Sequence, residues 1–81
     1  MYKNKANDGR SNICGLKIKE IRMNLPKKTS QKQFAEMLQE EGLYLDKNAI
    51  QKIEEGTRFV TDIEIKVIAK ILKTTISDLL D

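Results

Sequence analysis

The chain of 81 residues has no histidine and no tryptophan, and holds a single cysteine, Cys14, and a single proline, Pro26. Without histidine, and with one cysteine, no intramolecular disulfide can form and no Cys/His metal cluster of the usual spacing can be assembled. Cys14 falls in an apolar stripe, where it reads as a small buried hydrophobe in a reduced, cytoplasmic setting. There is no Gly-rich phosphate loop and no nucleophile–base pair. The acidic pairs Glu40–Glu41 and Glu54–Glu55 do not converge on a substrate, because adjacent helical residues diverge by about 100°. These absences argue against an enzyme and point to no metal, cofactor or small-molecule site. No apolar run approaches the ~18 residues of a membrane span, and the charged opening "MYKNKANDGR" is not followed by a signal-type apolar core.

What remains is 40% hydrophobic and 33% charged, a balance that allows one small domain. A single core of this size is thermodynamically marginal, so well-capped helices are needed and a partner subunit helps. The net charge of +3 is modest but uneven. Residues 1–33 hold the basic excess, opposed only by Asp8 and Glu20, whereas residues 34–55 carry six acids against Lys47 and Lys52. A basic amino-terminal third suits an anionic partner such as nucleic acid, and suits a solvated surface equally well.

Residues 1–12 are polar and aperiodic and read as a mobile polar arm or leader, leaving 13–81 as the domain. Cys14, Ile18, Ile21 and Leu25 recur at spacings of four, three and four, an amphipathic helix ending before Pro26. Ser30 with Gln33 forms a Ser-x-x-Gln capping pattern that opens a second helix at Gln31, with Phe34, Ala35, Met37 and Leu38 as its stripe and Gly42 to close it. Asp46 caps a short third helix whose apolar side is Ala49, Ile50 and Ile53 and whose stop is Gly56. Thr61 with Glu64 opens a fourth, carrying Ile65, Ile68, Ala69 and Leu72. Thr75 with Asp78 starts a last short turn whose Ile76, Leu79 and Leu80 offer apolar surface, either for a dimer contact or as a cap on the core under the first helix. Apolar residues repeat at three and four, not two, so the fold class is all-α with five helices and no strand.

The third helix carries the chemistry. Lys47, Asn48, Gln51 and Lys52 share the face opposite Ile50 and Ile53. Lysine donates to guanine, and Asn and Gln pair bidentately with adenine, so such a face can read bases in the major groove. A solvated surface helix has the same pattern.

The order "SQKQFAEML…AIQKIEEGTRFVTDIEIKVIAKILKTTISDLL" closely resembles the lambda-repressor and Cro-like, or XRE-type, helix-turn-helix family over about Ile13 to Leu80. The resemblance implies a compact five-helix domain whose second and third helices form the motif, and a double-stranded DNA operator as partner. "SQKQFAEML" is similar to the first motif helix, "AIQKIEEG" to the recognition helix and its closing glycine, and "ISDLL" to the carboxyl-terminal helix. It places base-reading roles on Lys47, Asn48 and Lys52, with Gln51 beside them. Phosphate contacts fall on Ser30, Gln31, Thr57 and Arg58, with Lys27 and Lys28 as further candidates. It also implies that Arg22 pairs with Glu54. The expected function is a sequence-specific DNA-binding transcriptional regulator, a repressor, working as a homodimer at least on DNA. The alternative is an antitoxin or protein-interaction module on the same fold.

One stretch departs from the family pattern. Between Ala35 and Gly56 the chain is longer by about five residues than the usual helix-turn-helix spacing. The extra residues fall in "LQEEGLYLD" and are expected to extend the second helix and enlarge the following turn, with Leu43 and Leu45 packed on the core.

Overall fold

The computed structural model describes residues 9–80. Five helices follow in order: α1 Gly15–Met23, α2 Gln31–Glu40, α3 Lys47–Glu55, α4 Asp62–Leu72 and α5 Ile76–Leu80. No strand occurs among the described residues. The all-α, five-helix architecture is the expected one.

The helix starts lie where local polar residues satisfy the free amides of the first turn. Ser30 Oγ accepts from Gln33 N–H and Gln33 Oε1 from Ser30 N–H, a complete capping box. Thr61 and Glu64 make the same reciprocal pair at α4. Asp46 Oδ1 accepts from Ala49 N–H at 2.8 Å, and Thr75 Oγ1 from Asp78 N–H at 3.0 Å. The ends of α2, α3 and α4 use the left-handed conformation. Gly56, at φ 86°, donates to Ile53 O while Thr57 N–H reaches back to Lys52 O, closing α3 with paired carbonyls. Gly42 closes α2 in the same way, with Leu43 N–H on Leu38 O. α4 ends identically on a non-glycine, Lys73 at φ 56°, which the sequence does not signal.

α3 packs against α1 and α2, and α4 against α1, α2 and α5. The stripes meet in one core of Cys14, Ile18, Phe34, Ala35, Leu38, Leu45, Ile50, Ile53, Ile65, Ile68, Ala69, Leu72 and Leu79. Leu45 is buried and Leu43 packs against the core, as expected for the turn over residues 41–46. That turn is longer than the three or four residues usual between such helices. Even so, α2 and α3 pack together.

Two expectations need correction. Leu79, grouped with Ile76 and Leu80 as surface at the chain end, is fully buried, because α5 folds back on both α1 and α4. Ile76 and Leu80 do stay partly exposed, at 40% and 42%. Residues 1–8 of the expected mobile arm lie outside the described residues, whereas Arg10, Ser11 and Asn12, expected in the same arm, are hydrogen-bonded to the end of α3 and to the loop beyond it.

Candidate functional site

α3 divides into two faces. Ile50, Ile53 and Glu54 are buried, whereas Lys47, Asn48, Gln51 and Lys52 are all exposed. The stripe spacing puts the isoleucines on the core, so every residue between them must face out. The Lys47, Asn48 and Lys52 side chains make no hydrogen bond to another described residue. Gln51 differs: its Nε2 donates to Glu55 Oε1 at 2.9 Å, one turn along the same helix. Three of the four expected base-reading side chains are therefore free for a ligand, and the fourth is in a weak surface exchange.

Glu54, on the inner edge of α3, is the centre of a buried polar cluster. Arg22 grips it bidentately, Nε to Oε2 at 2.7 Å and Nη2 to Oε1 at 3.0 Å. Arg22 Nη1 also donates to Thr29 O at 2.8 Å, in the connector before α2. Gln31 Nε2 adds a bond to Glu54 Oε1 at 2.9 Å. The pair implied by resemblance is present, with side-chain exposures of only 9% and 3%. It joins α1, the connector, the first residue of α2 and α3. A planar guanidinium suits the task because its fixed fork serves two acceptor groups at once.

The expected phosphate residues occupy two places. Ser30 and Gln31 lie at the start of α2. Ser30 is committed to its capping box and Gln31's side chain to Glu54, so what that helix start offers an anion is the backbone N–H groups of Gln31 and Lys32, which have no helical acceptor. Thr57 and Arg58 lie in the loop after α3. Thr57 Oγ1 donates to Lys52 O at 3.3 Å. Arg58 is paired with Glu64, Nη1 to Oε1 at 3.0 Å and Nη2 to Oε2 at 2.9 Å, and also donates to Phe59 O. Its Nε–H and one Nη2–H are left over. With its charge already met by a carboxylate, Arg58 can serve an anion as a donor more than as a net charge.

The Arg58–Glu64 pair has a pH consequence. Hydrogen bonds from Arg58 hold the Glu64 carboxyl below its ordinary value, against the upward push of burial. The Glu64 bonds in turn raise the Arg58 guanidinium. A carboxyl depressed in the folded state contributes stability that is complete above its unfolded value of about 4.3 and is lost as pH falls through the lower folded value. Glu64→Gln is expected to lose up to about 1 kcal/mol at pH 7 and to flatten the decline in stability below about pH 5. Urea midpoints taken from pH 7 to 3 check this; parallel declines for both proteins would refute it. Burial pushes the Cys14 thiol up, in keeping with an unreactive core residue.

One groove borders the polar face of α3, and a second lies between α1, the connector and the start of α2. The first, of about 410 Å³, is lined by Lys19, Gln31, Lys47, Gln51, Glu54 and Glu55. The second, of about 850 Å³, includes Lys19, Lys28, Ser30 and Lys32. Lys19, on α1, borders both, and with Lys32 it is an addition to the expected contact residues. The basic excess of residues 1–33 was the signal for them, but charge alone does not say which lysines share a surface. Lys28 lines the larger groove, and Lys27 a smaller one beside it.

A helix-turn-helix family model matches residues 18–79, which takes in most of α1, all of α2 to α4 and most of α5. No match was found among curated proteins or among solved structures.

Proposed function

The chain belongs to the helix-turn-helix family of lambda-repressor type, a DNA-binding family, and from that premise we propose that it is a sequence-specific transcriptional repressor that lays α3 in the major groove of its operator. The observation that supports this reading best is the outer face of α3, where Lys47, Asn48 and Lys52 stand exposed while Ile50, Ile53 and Glu54 anchor the helix from behind. Lys47 and Asn48, in the first turn, lie nearest base edges, and Lys52, one turn on, divides between guanine and phosphate. Gln51 joins them by giving up Glu55. The α2 start at Ser30 and Gln31, and the loop at Thr57 and Arg58, take the sugar–phosphate backbone on either side. Lys19, Lys28 and Lys32 extend that basic front.

A dimer on DNA follows from the same reading. Ile76 and Leu80 leave α5 with apolar surface at the chain end, and two copies joined there would read half-sites about one helical turn apart.

The salt dependence of duplex binding tests the function. Each neutralised phosphate contributes a slope of about −0.9 in log K against log salt, so contact by Lys19, Lys28, Lys32 and Lys52 is expected to give a slope of roughly −3 to −4 on random-sequence duplex. A protein that uses this fold to grip another protein would bind duplex weakly and with little salt dependence. That result would favour the antitoxin or interaction reading.

A further inference from the structure

The carboxyl end of α3 is held by three consecutive residues from before α1. Arg10 donates from Nη1 to Glu55 O at 3.1 Å and from Nη2 to Glu54 O at 2.9 Å. A cation there also meets the negative end of the helix dipole. Ser11 N–H donates to Gly56 O at 2.7 Å. Asn12 does the most: its Nδ2 donates to Ile53 O at 3.0 Å and to Arg58 O at 2.8 Å, while its Oδ1 accepts from Gly15 N–H at 2.8 Å. One buried amide thus satisfies the start of α1, the last turn of α3 and the loop that holds Thr57 and Arg58.

The loop is otherwise tied by Thr57, whose N–H and hydroxyl both reach Lys52 O, and by the pair of Arg58 with Glu64 of α4. It leaves α3 through a left-handed glycine and regains regular structure only at Thr61, the cap of α4. The bond from Asn12 to Arg58 O ties the backbone of the loop's second residue to the same amide group that holds the last turn of the recognition helix.

We propose that Asn12 is a positioning residue for DNA binding: it holds the Thr57–Arg58 loop at the distance from α3 at which phosphate contact and base reading occur together. The proposal rests on the roles given above to that loop and to α3. An asparagine is required by chemistry, since the site needs two N–H donors and one acceptor on a single short side chain. Asn12→Asp keeps the size and the acceptor for Gly15 N–H but sets a carboxylate against two carbonyl oxygens. Asn12→Ala removes all three bonds.

The test is a pair of double-mutant cycles read in duplex affinity, at a temperature where circular dichroism shows every variant folded. Asn12→Ala is expected to weaken binding three- to tenfold on every sequence without altering base preference. Combined with Arg58→Ala it should cost little more than Arg58→Ala alone, because both act through one loop; combined with Asn48→Ala the losses should multiply. A purely structural Asn12 would give multiplying losses in both cycles, and a changed base preference would show that it positions α3 and not the loop. Either result overturns the proposal. Should Asn12→Ala and Asn12→Asp both fail to fold, the Asn12 side-chain NH₂ signals of the wild-type protein serve instead. They are expected to shift on duplex binding in wild type and to stay in place with Arg58→Ala; unshifted signals in bound wild type overturn the proposal. Absence of salt-dependent binding by wild type would defeat the functional reading itself, and the wild-type titration reads that separately from the cycles.

Discussion

Arg22→Ala and Glu54→Ala are each expected to cost about 3–5 kcal/mol, because either one leaves a charged or multiply hydrogen-bonded group buried without its partner. A domain this small has little more than that to lose. Arg22 would leave Glu54 with Gln31 as its remaining side-chain donor; Glu54 would leave a guanidinium satisfied only at Thr29 O. The double variant Arg22→Met with Glu54→Leu is expected to recover much of the loss, since apolar residues of similar volume replace such pairs at little cost. Urea denaturation of the singles and the double gives the coupling directly. Single losses under about 1 kcal/mol would mean that water screens the pair. The duplex affinity of the recovered double should still fall, for it has lost the link from Gln31 to α3.

Gly15→Ala is expected to destabilise by about 3 kcal/mol, the upper part of the range for overpacking, although alanine is the better helix former by up to ~1 kcal/mol. A Cβ on Gly15 would run into the Ile53 carbonyl oxygen, and would lie 2.7 Å from both Asn12 Oδ1 and Arg10 Nη2. The two side chains can give way. The carbonyl belongs to α3 and can move only with the helix, so α1 and α3 must separate. Chemical denaturation checks the sign: a neutral or stabilised Gly15→Ala would show that the two helices do not approach so closely.

Much of this fold is written locally. Ser30 with Gln33, Asp46, and Thr61 with Glu64 can be read as caps because a cap depends on residues three apart, and Gly42 and Gly56 as stops because a left-handed turn suits glycine. The outer face of α3 can be read for the same reason: a periodic apolar stripe fixes what is left outside. Arg22 and Glu54 cannot be found that way. Arg22 lies four residues after Ile18, where the α1 stripe calls for an apolar side chain, and a count of apolar periods passes over it; the family resemblance supplied the pair. Arg10 and the donor side of Asn12 left no local signal, since their acceptors are more than forty residues away, although Asn12 also accepts from Gly15 N–H three residues on. The one hint was Gly15, a glycine inside a helical pattern, which often marks a close backbone approach. Lys73 shows the converse, a left-handed helix end without glycine, after which α5 packs back on α4.

The central claim is that α3 reads bases while the residues around it hold the backbone. The most direct measurement is the affinity of wild type, Asn48→Ala and Arg58→Ala for an operator selected from random duplex and for each of its single-base changes. The account predicts that Asn48→Ala loses about 1–3 kcal/mol on the selected operator and becomes indifferent at one base position, whereas Arg58→Ala weakens every duplex by a similar factor and keeps the preferences intact. If both variants lower affinity by one common factor on every sequence, α3 does not read bases and the account is contradicted.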